Sequence, residues 1–170
     1  RRIAAAASVL VTSRLPNEKK TWRNFSGRGV ISYKFTPDVM AYASFNRGFK
    51  AGEFNTGASS VDTAIFVKPE LLDAYEVGFK SHLFNRKLRL NVSAFLYEYK
   101  DKQETFFQGG VATLSNADAR IKGLEVDLTA RPVPQLTINA GYSYLDAKYT
   151  DFRNCLADGS DCTGLRLPMA

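Results

Sequence analysis

The feature that most constrains this sequence is an alternation of apolar and polar residues with a period of two. That is the period of a β-strand whose two faces meet different surroundings. In residues 135–145 the alternation is almost unbroken, and residues 88–96 and 124–131 repeat it. An amphipathic helix would instead place apolar residues three and four positions apart. The sequence therefore predicts an all-β fold with one apolar and one polar face.

Strands predicted from this alternation cover much of the chain. The six clearest are residues 22–35, 39–49, 72–83, 88–96, 124–131 and 135–145. Residues 3–12 are a weaker candidate because their alanines would also suit a helix. Another strand begins after Leu165, so we expect seven or eight in total. The longest nearly apolar run is about half the length of a membrane-spanning helix, so no such helix is expected.

Short and long connections alternate along the chain. The short ones carry Pro or Asn, which suit tight turns, and are residues 36–38, 84–87 and 131–134. The long ones are residues 13–21, 50–70, 105–118 and 149–164. This order predicts an antiparallel up-and-down meander with turns at one end and loops at the other. Outer-membrane β-barrels have that asymmetry, with short periplasmic turns and longer extracellular loops.

The length of the strands separates a membrane barrel from a soluble β-sandwich. In a sandwich the apolar face packs into a core, whereas in a membrane barrel it faces lipid and the polar face lines the lumen. Residues 88–96 span about 30 Å, or about 23 Å when tilted, close to the ~25 Å apolar band of such barrels. The same face then becomes charged at Glu98 and Lys100. The mean hydropathy of −0.23 is the average of two unlike faces.

Aromatic residues stand at both ends of the predicted apolar face. Tyr142 and Tyr144 end an aliphatic face on the loop side, whereas Tyr33 and Phe35 lie on the turn side. Aromatic rings of this kind favour the headgroup depth of a membrane, so these four residues are predicted to form interfacial girdles. The alternative is that they are ordinary strand residues, because aromatic residues are common in any β-strand.

Several short motifs follow one another between Arg23 and Phe152. The two longest are YASFNRGFKAG at 42–52 and KPELLDAYEVGFKS at 68–81. They are followed by LN at 90–91, F at 95, Y at 97 and 99, KD at 100–101, Q at 103, SNA at 115–117, A at 119, GLE at 123–125 and GYSY at 141–144. Each motif alone is weak, but the ordered set is specific. In this order and spacing the chain resembles the barrel region of TonB-dependent outer-membrane receptors, and in particular the receptors for iron–siderophore complexes.

The resemblance implies a large transmembrane β-barrel in the outer membrane of a Gram-negative bacterium. The family's barrel has about 22 strands around a plug, so residues 1–170 are expected to be a partial barrel domain. The plug domain and the closing C-terminal strands are expected to be absent from it. The implied function is TonB-driven uptake of a scarce nutrient, with an iron–siderophore complex as the expected substrate. Neither enzyme activity nor a cofactor is implied.

Cysteine and histidine are too few for the usual metal centres. The chain has two cysteines and one histidine, and no pair of carboxylates stands out as a catalytic acid and base. We therefore expect no catalytic and no metal-binding residues. Cys155 and Cys162 lie in a predicted extracellular loop, where the surroundings are oxidising, so a disulfide between them is predicted. The alternative is two free thiols. His82 is interpreted as a solvated residue of the barrel wall.

Candidates for contact with a substrate come from the resemblance. In this family substrates contact lumen-facing loop bases and the tips of the plug, which makes Arg47, Phe66, Phe106 and Phe107 candidates here. Ordinary packing of loops is the alternative explanation for these four residues.

The expected partners are lipid, lipopolysaccharide, a nutrient ligand such as a ferric siderophore, and the TonB complex through the missing plug. Basic residues near residues 13–21 suggest the contact with lipopolysaccharide. The net charge is +6, but lysines and arginines are scattered rather than gathered in a stripe, so no nucleic-acid partner is expected.

Two other architectures remain open from the sequence. A complete eight-stranded outer-membrane barrel would fit the length, and it requires the first strand to pair with the last. A soluble secreted β-sandwich that binds a ligand requires the face of Leu136, Ile138 and Ala140 to pack against a second sheet. A single curved sheet with that face bare would support the large barrel.

Overall fold

The computed structural model describes residues 11–15, 18–54, 66–108, 111–153, 155 and 160–168. These residues form ten β-strands. The strands are β1 (Val11–Leu15), β2 (Glu18–Trp22), β3 (Gly27–Thr36), β4 (Val39–Lys50), β5 (Glu53–Phe54), β6 (Phe66–Val67), β7 (Glu70–Leu83), β8 (Leu88–Gln108), β9 (Val111–Val133) and β10 (Leu136–Asp151). Within the described part, no helix is long and apolar enough to cross a membrane.

Six strands form one antiparallel sheet. Its order is β10-β9-β8-β7-β4-β3, so each strand pairs with the next long strand along the chain. The hairpin of β5 and β6 is inserted between β4 and β7, and β1 pairs with β2 in a separate hairpin. The predicted all-β antiparallel meander is therefore confirmed. Among the described residues β3 and β10 do not pair with each other, so they form no closed eight-stranded barrel.

The long connections differ most from the sequence-based prediction. Residues 105–118 were expected to be a loop, but β8 and β9 continue through most of this segment as one hairpin, with Gln103 opposite Asn116 and Phe107 opposite Ala112. Strand pairing satisfies the backbone N–H and C=O groups of this segment. It does so even where the side chains need not alternate between apolar and polar. A loop was also expected at residues 13–21, but residues 13–15 pair with residues 18–20 in the β1–β2 hairpin.

Strand bounds also shift at the weaker candidates. The strand predicted at residues 22–35 begins instead at Gly27, because residues 23–26 are not in a strand. Most of the candidate at residues 3–12 lies outside the described residues. The three predicted short turns are present, and β9 and β10 are joined through residues 134–135. After Leu165, Arg166 forms an antiparallel bridge to Lys148 of β10.

The two faces of the sheet follow from its register. Directly opposed residues share a face, and one row across the six strands is entirely apolar or aromatic. This row consists of Ile31, Ala43, Val77, Ala94, Leu124 and Tyr144. The next row on the same face consists of Tyr33, Ala41, Phe79, Val92, Val126 and Tyr142. We call the face that carries these two rows and their apolar neighbours the apolar belt.

The apolar belt is bare. Ile31 is 73% exposed and Val77 57%, and Leu136 and Ile138 each expose nearly half of their surface. A β-sandwich would bury these residues against a second sheet, and no second sheet covers them in the described part of the chain. The opposite face carries polar residues in matching rows, such as Tyr42, Ser93 and Glu125. The sheet therefore has the two faces of a membrane-barrel wall.

The core of the structure lies at the loop end of the sheet. Ala117, Ala119, Ala147, Tyr149, Phe152, Cys155 and Leu167 form one buried cluster there. Residues 160–167 fold back on the strands, and the N–H of Leu167 donates to the carbonyl of Ala147. A second buried group joins Trp22, Phe54 and Val67. Loop segments rather than a second sheet supply this packing.

Candidate functional site

The polar face of the sheet carries a group of ionisable side chains at mid-strand. We call Tyr42, Glu76, Lys80, Glu125 and Asp127 the wall cluster. The members lie on strands β4, β7 and β9. The register brings them together, because Tyr42, Gly78, Ser93 and Glu125 form one row across β4, β7, β8 and β9. They line a pocket of about 230 Å³ that opens on this face.

Tyr42 is held across the neighbouring strand. Its hydroxyl donates a hydrogen bond to Oε1 of Glu76 at 2.5 Å, and the Lys80 ammonium lies 5.3 Å from the centre of its ring. Gly78 makes this position possible, since a Cβ there would lie 2.3 Å from the Tyr42 ring. The glycine of the YEVGFK motif therefore leaves room for the ring between two strands.

The wall cluster is acidic. It contains three carboxylates and one ammonium group, and Glu125 forms no hydrogen bond or ion pair with the described residues. Carboxylates on a wet face need little compensation, but they attract any cation that approaches them. In the described part of the chain no group of three or more His, Cys, Asp or Glu residues could hold a metal ion. The cluster therefore suits contact with a basic surface better than metal coordination.

The polar face continues toward the short turns. The guanidinium of Arg89 donates to the Thr129 hydroxyl at 3.2 Å, and that hydroxyl donates to the side-chain oxygen of Asn139 at 3.0 Å. These residues line a shallow pocket of about 490 Å³ together with Asp127. The wall is thus polar along its length from the loop end to the turn end.

A second polar network lies where the loop between β4 and β7 meets the β8–β9 hairpin. We call Lys68, Glu70, Asp101, Gln103 and Asn116 the rim network. The Asn116 side chain accepts from the N–H of Lys68 at 2.7 Å and donates to the carbonyl of Asp101 at 2.7 Å. The Lys68 ammonium also contacts the Asp101 carboxylate at 3.0 Å. These contacts fix the base of the loop to the hairpin.

Gln103 is the buried centre of the rim network. Its side-chain NH₂ donates to the carbonyls of Ala51 and Lys68 at 2.8 and 3.1 Å, and its backbone N–H donates to Glu70 at 2.8 Å. The pairing of β8 with β9 is irregular just before it, where Asp101 adopts a φ of 53°. All five network residues belong to the sequence motifs, but no feature of those motifs links them to one another.

A row of charges follows the apolar belt toward the loop end. Arg47 pairs with Asp73, Glu98 with Arg120 at 2.8 Å, and Asp146 with both Lys122 and Lys148. Arg47 shares its face with Phe45, over whose ring its guanidinium lies at 5.9 Å. The structure therefore places Arg47 on the outer face, and its proposed role at a lumen-facing loop base is corrected. Successive residues of a strand point to opposite faces, so residues two positions apart, such as Phe45 and Arg47, share a face.

The aromatic substrate candidates lie in separate elements at the loop end of the sheet. The Phe66 ring packs on Phe54 at 4.4 Å, with the Lys20 ammonium 4.1 Å from its centre. Phe106 and Phe107 are in the extension of β8, opposite Thr113 and Ala112, and their side chains lie outside the described residues. Phe66 thus belongs to a packed hairpin.

The predicted girdle residues all lie on the apolar belt. Tyr33, Phe35, Tyr142 and Tyr144 expose 67%, 61%, 60% and 52% of their surface. Tyr33 and Tyr142 lie in the same row, five strand spacings apart. With strands about 4.8 Å apart and tilted by about 35–45°, such a row changes depth by about 14–17 Å. Their assignment to opposite membrane interfaces stays a prediction.

The loop after β10 is closed by a disulfide between Cys155 and Cys162. The N–H of Thr163 donates to Asp161 at 2.8 Å, and hydrogen bonds from Thr163 hold the pKa of the Asp161 carboxyl below its usual range. Tyr149 lies under this loop, beyond the apolar belt. Burial, and then the hydrogen bond from its hydroxyl to Glu104, raise the pKa of the phenol.

Fold and faces together define a class of protein, the transmembrane β-barrels with a polar lumen. A family model described as TonB dependent receptor-like, beta-barrel, matches residues 5–170. The chain belongs to this family of outer-membrane transport receptors of Gram-negative bacteria. Its six-stranded sheet is part of the wall of such a barrel.

Individual relatives are distant in sequence. The chain is 26% identical over 144 residues to the metal-pseudopaline receptor CntO of Pseudomonas aeruginosa, covering 85% of this chain and 20% of that protein. It is similar in fold to the ferric yersiniabactin uptake receptor FyuA of Yersinia pestis, with a TM-score of 0.63 and 23% identity over 78% of this chain and 20% of that one.

A further fold match is the ferripyoverdine receptor of Pseudomonas aeruginosa bound to ferripyoverdine. The TM-score is 0.60 at 15% identity, covering 91% of this chain and 20% of that one. The chain therefore spans about a fifth of the length of the proteins that it matches.

Proposed function

We propose that the intact receptor imports a metal–chelate complex, with ferric siderophores as the principal class, and that the TonB complex drives this import. The observation that carries the proposal is one sheet with a bare apolar face and a polar face that carries the acidic wall cluster. The named relatives support the substrate class, since they bind metal-pseudopaline, ferric yersiniabactin or ferripyoverdine. The barrel wall performs no chemistry on the substrate.

The wall cluster is the surface that we propose to face the plug. Barrels of about 22 strands in this family enclose a plugged lumen, and the polar face lines that lumen. Glu76 and Glu125 present carboxylates to it, with Lys80 as the cation of the cluster. Charge-assisted hydrogen bonds from basic plug residues would hold the plug until the TonB complex pulls on it.

Lipid and lipopolysaccharide are proposed partners of the outer face. The apolar belt matches lipid, and the charged row with Arg120, Lys122 and Lys148 follows it at the loop end. Extracellular loops lie at this end in the family, where the outer leaflet carries lipopolysaccharide phosphates. Proposed substrate contacts are Phe66, Phe106 and Phe107, and Arg47 is left out because it lies on the lipid side.

The test is uptake of radiolabelled ferric siderophores by cells that produce the intact receptor as their only siderophore receptor. Ferric hydroxamate, catecholate and pyoverdine complexes are offered in turn, with and without a functional TonB complex. We expect one class to accumulate only when TonB is functional. Accumulation of none of them, or accumulation that does not require TonB, would contradict the proposal.

The plug contact is tested in the same cells with Glu76→Gln and Glu125→Gln combined. Each substitution keeps the size of the side chain and weakens a charge-assisted hydrogen bond worth about 1.5–3 kcal/mol. Uptake is expected to change by about tenfold or more. Glu98→Gln is the matched control because Glu98 pairs with Arg120 on the outer face. Equal effects of control and test variants would sink the plug contact while leaving the transport function standing.

A further inference from the structure

The polar face of the sheet changes its charge toward the short turns. The carboxylate of the wall cluster that lies nearest to these turns is Asp127. The next row toward the turns places Arg89 opposite Thr129. One row further, Lys87 lies opposite Arg131, whose N–H donates to the carbonyl of Lys87 at 2.7 Å. We call Lys87, Arg89 and Arg131 the basic patch.

The register places the basic patch on the same face as the wall cluster. Residues two positions apart in a strand share a face, so Lys87 lies on the face of Arg89. On β9 the same rule joins Asp127, Thr129 and Arg131. The three cations therefore continue the wall cluster along the lumen side, at the turn end of the sheet.

The basic patch has no anionic partner in the described part of the chain. None of its side chains forms an ion pair with the described residues, and Arg89 donates to a neutral hydroxyl. Asp38, in a neighbouring turn, is already paired with Arg86 at 3.3 Å. Like charges directly opposite each other in a sheet, such as Lys87 and Arg131, are destabilising. Because all three cations are also exposed, the patch favours binding of an anion.

The position of the basic patch indicates which anion it meets. Barrels of about 22 strands in this family have a plugged lumen, and the patch adjoins the wall cluster that we propose to contact basic plug residues. A plug surface that extends past the wall cluster toward the turns meets the opposite charge. Complementary charges on two adjoining patches fix the register of the surface that docks on them. Carboxylates of the plug are therefore the anions that this continuity favours.

We propose that the basic patch binds an acidic segment of the plug. Lys87, Arg89 and Arg131 contact its Asp or Glu carboxylates through charge-assisted hydrogen bonds. This contact lies near the periplasmic end of the barrel, because short turns face the periplasm in such barrels. The plug then presents basic groups to the wall cluster and acidic groups to the basic patch. The proposal rests on the proposed function, which puts the plug in the lumen, but it does not depend on the imported substrate.

The experiment joins the contact covalently in the intact receptor. A water-soluble carbodiimide links an amine to a carboxylate in direct contact as an amide, and mass spectrometry identifies the linked peptides. We expect a link between Lys87 and an Asp or Glu of the plug. Lys122 is the positive control for the reagent, because its ammonium lies 3.6 Å from the Asp146 carboxylate on the outer face.

Two substitutions check the origin of the link. Lys87→Arg keeps the positive charge but removes the amine, so the link from this position should disappear. Arg131→Lys adds a second amine to the basic patch, and this amine should couple to the same plug segment.

Removal of the charges provides a second measurement. Lys87→Gln with Arg89→Gln and Arg131→Gln is expected to make hydrogen exchange in the linked plug segment about tenfold faster or more. Lys100→Gln with Arg153→Gln removes exposed charges at the loop end and is the matched control, which should leave that exchange unchanged. Circular dichroism checks that each variant is folded.

The outcomes separate the plug from other anions. If neither amine couples to the plug while Lys122 couples to Asp146, the proposal is overturned. Slower uptake of a ferric siderophore with unchanged plug exchange would also overturn it, and would assign the basic patch to the transported chelate. A link from Lys87 to the plug in a receptor that imports no siderophore would support this contact and contradict only the proposed substrate.

Discussion

The same sheet is built in two different ways at its two ends. Beyond the row where Lys122 is opposite Leu96, buried residues such as Ala147, Tyr149 and Phe152 pack under the loop that the disulfide closes. In the apolar belt, by contrast, Val77 and other large side chains are exposed. The loop end thus has a core like that of a soluble protein, whereas the belt relies on what surrounds the protein.

This difference shows which forces act where. Loop-end residues gain stability from their own burial, because water is excluded by neighbouring segments of the same chain. Belt residues have no such cover from the described part of the chain, and in the barrels of this family the apolar face is stabilised by lipid. The charged row that contains Arg47, Asp73, Glu98 and Arg120 marks the boundary between the two regions. Substitutions should therefore have effects that depend on the region and on the face.

The largest expected effect is that of a charge in the belt. Val77→Arg places a guanidinium on the lipid face between Ala43 and Ala94. An arginine at the middle of the bilayer costs about 2–4 kcal/mol in outer-membrane barrels. Denaturant titration of the intact receptor in phospholipid vesicles is expected to show that loss.

Ser93→Arg is the matched control, because Ser93 lies in the same part of the sheet but faces the lumen, opposite Glu125. Its cost is expected to be much smaller, since the new cation meets water and carboxylates. Equal losses for the two variants would contradict the assignment of the faces.

Removal of the disulfide should affect the loop end alone. Cys155→Ser with Cys162→Ser opens a closed segment with a sequence separation of 7. The chain-entropy relation gives a loss of about 2.5 kcal/mol for a loop of this size. Hydrogen exchange is expected to become faster in residues 150–168 and to stay unchanged in β4. Faster exchange in both regions would show that the two ends are not independent.

A smaller effect is expected from crowding between strands. Gly123→Ala would place a Cβ 2.5 Å from the Phe95 ring and 2.6 Å from the carbonyl oxygen of Tyr144. Because the second atom belongs to the backbone, strands β9 and β10 must move apart, at a cost of about 1–3 kcal/mol.

Gly141→Ala is the control for this crowding. The nearest atom to its new Cβ is Oδ1 of Asp127 at 3.9 Å, so the change should be neutral or slightly stabilising. The two variants are compared by thermal unfolding of the folded receptor. A Gly123→Ala variant as stable as the Gly141→Ala variant would mean that the strands accommodate the methyl group.

Alternation predicted the belt well because lipid on one face and water on the other impose it on every spanning strand. Beyond the membrane, apolar and polar residues need not alternate. The loop-end part of β8 and β9 therefore could not be recognised as strand from its residue pattern. Its backbone groups are satisfied by pairing all the same. The face of Arg47 could also have been predicted from the two-residue period. Arg47 lies two positions after Phe45 in β4, so the two side chains are on the same face. The family resemblance, by contrast, pointed to a substrate contact on the lumen side, which this parity argues against.

The rim network could not be predicted, for a different reason. Asn116 bonds to Lys68 across 48 positions in sequence, and Gln103 bonds to Ala51 across 52. Such pairs depend on the register of several strands and on the irregular pairing near Asp101. Their residue types alone are common in any loop. The motifs identified the right residues, and only the folded sheet shows that they meet.

The smallest expected effect concerns pH at the loop end. The lowered pKa of Asp161 means that its charged form is favoured in the folded loop, where Thr163 donates to it. A carboxyl with a depressed folded-state pKa stabilises the fold above its unfolded pKa, near 3.9, and this contribution is lost as the pH falls through the folded value. Hydrogen exchange at Thr163, corrected for its intrinsic rate, should therefore be constant at neutral pH and become faster below about pH 4. Asp161→Asn should remove that pH dependence and leave exchange in β4 unchanged. An acid response that persists in the variant would assign it to another group.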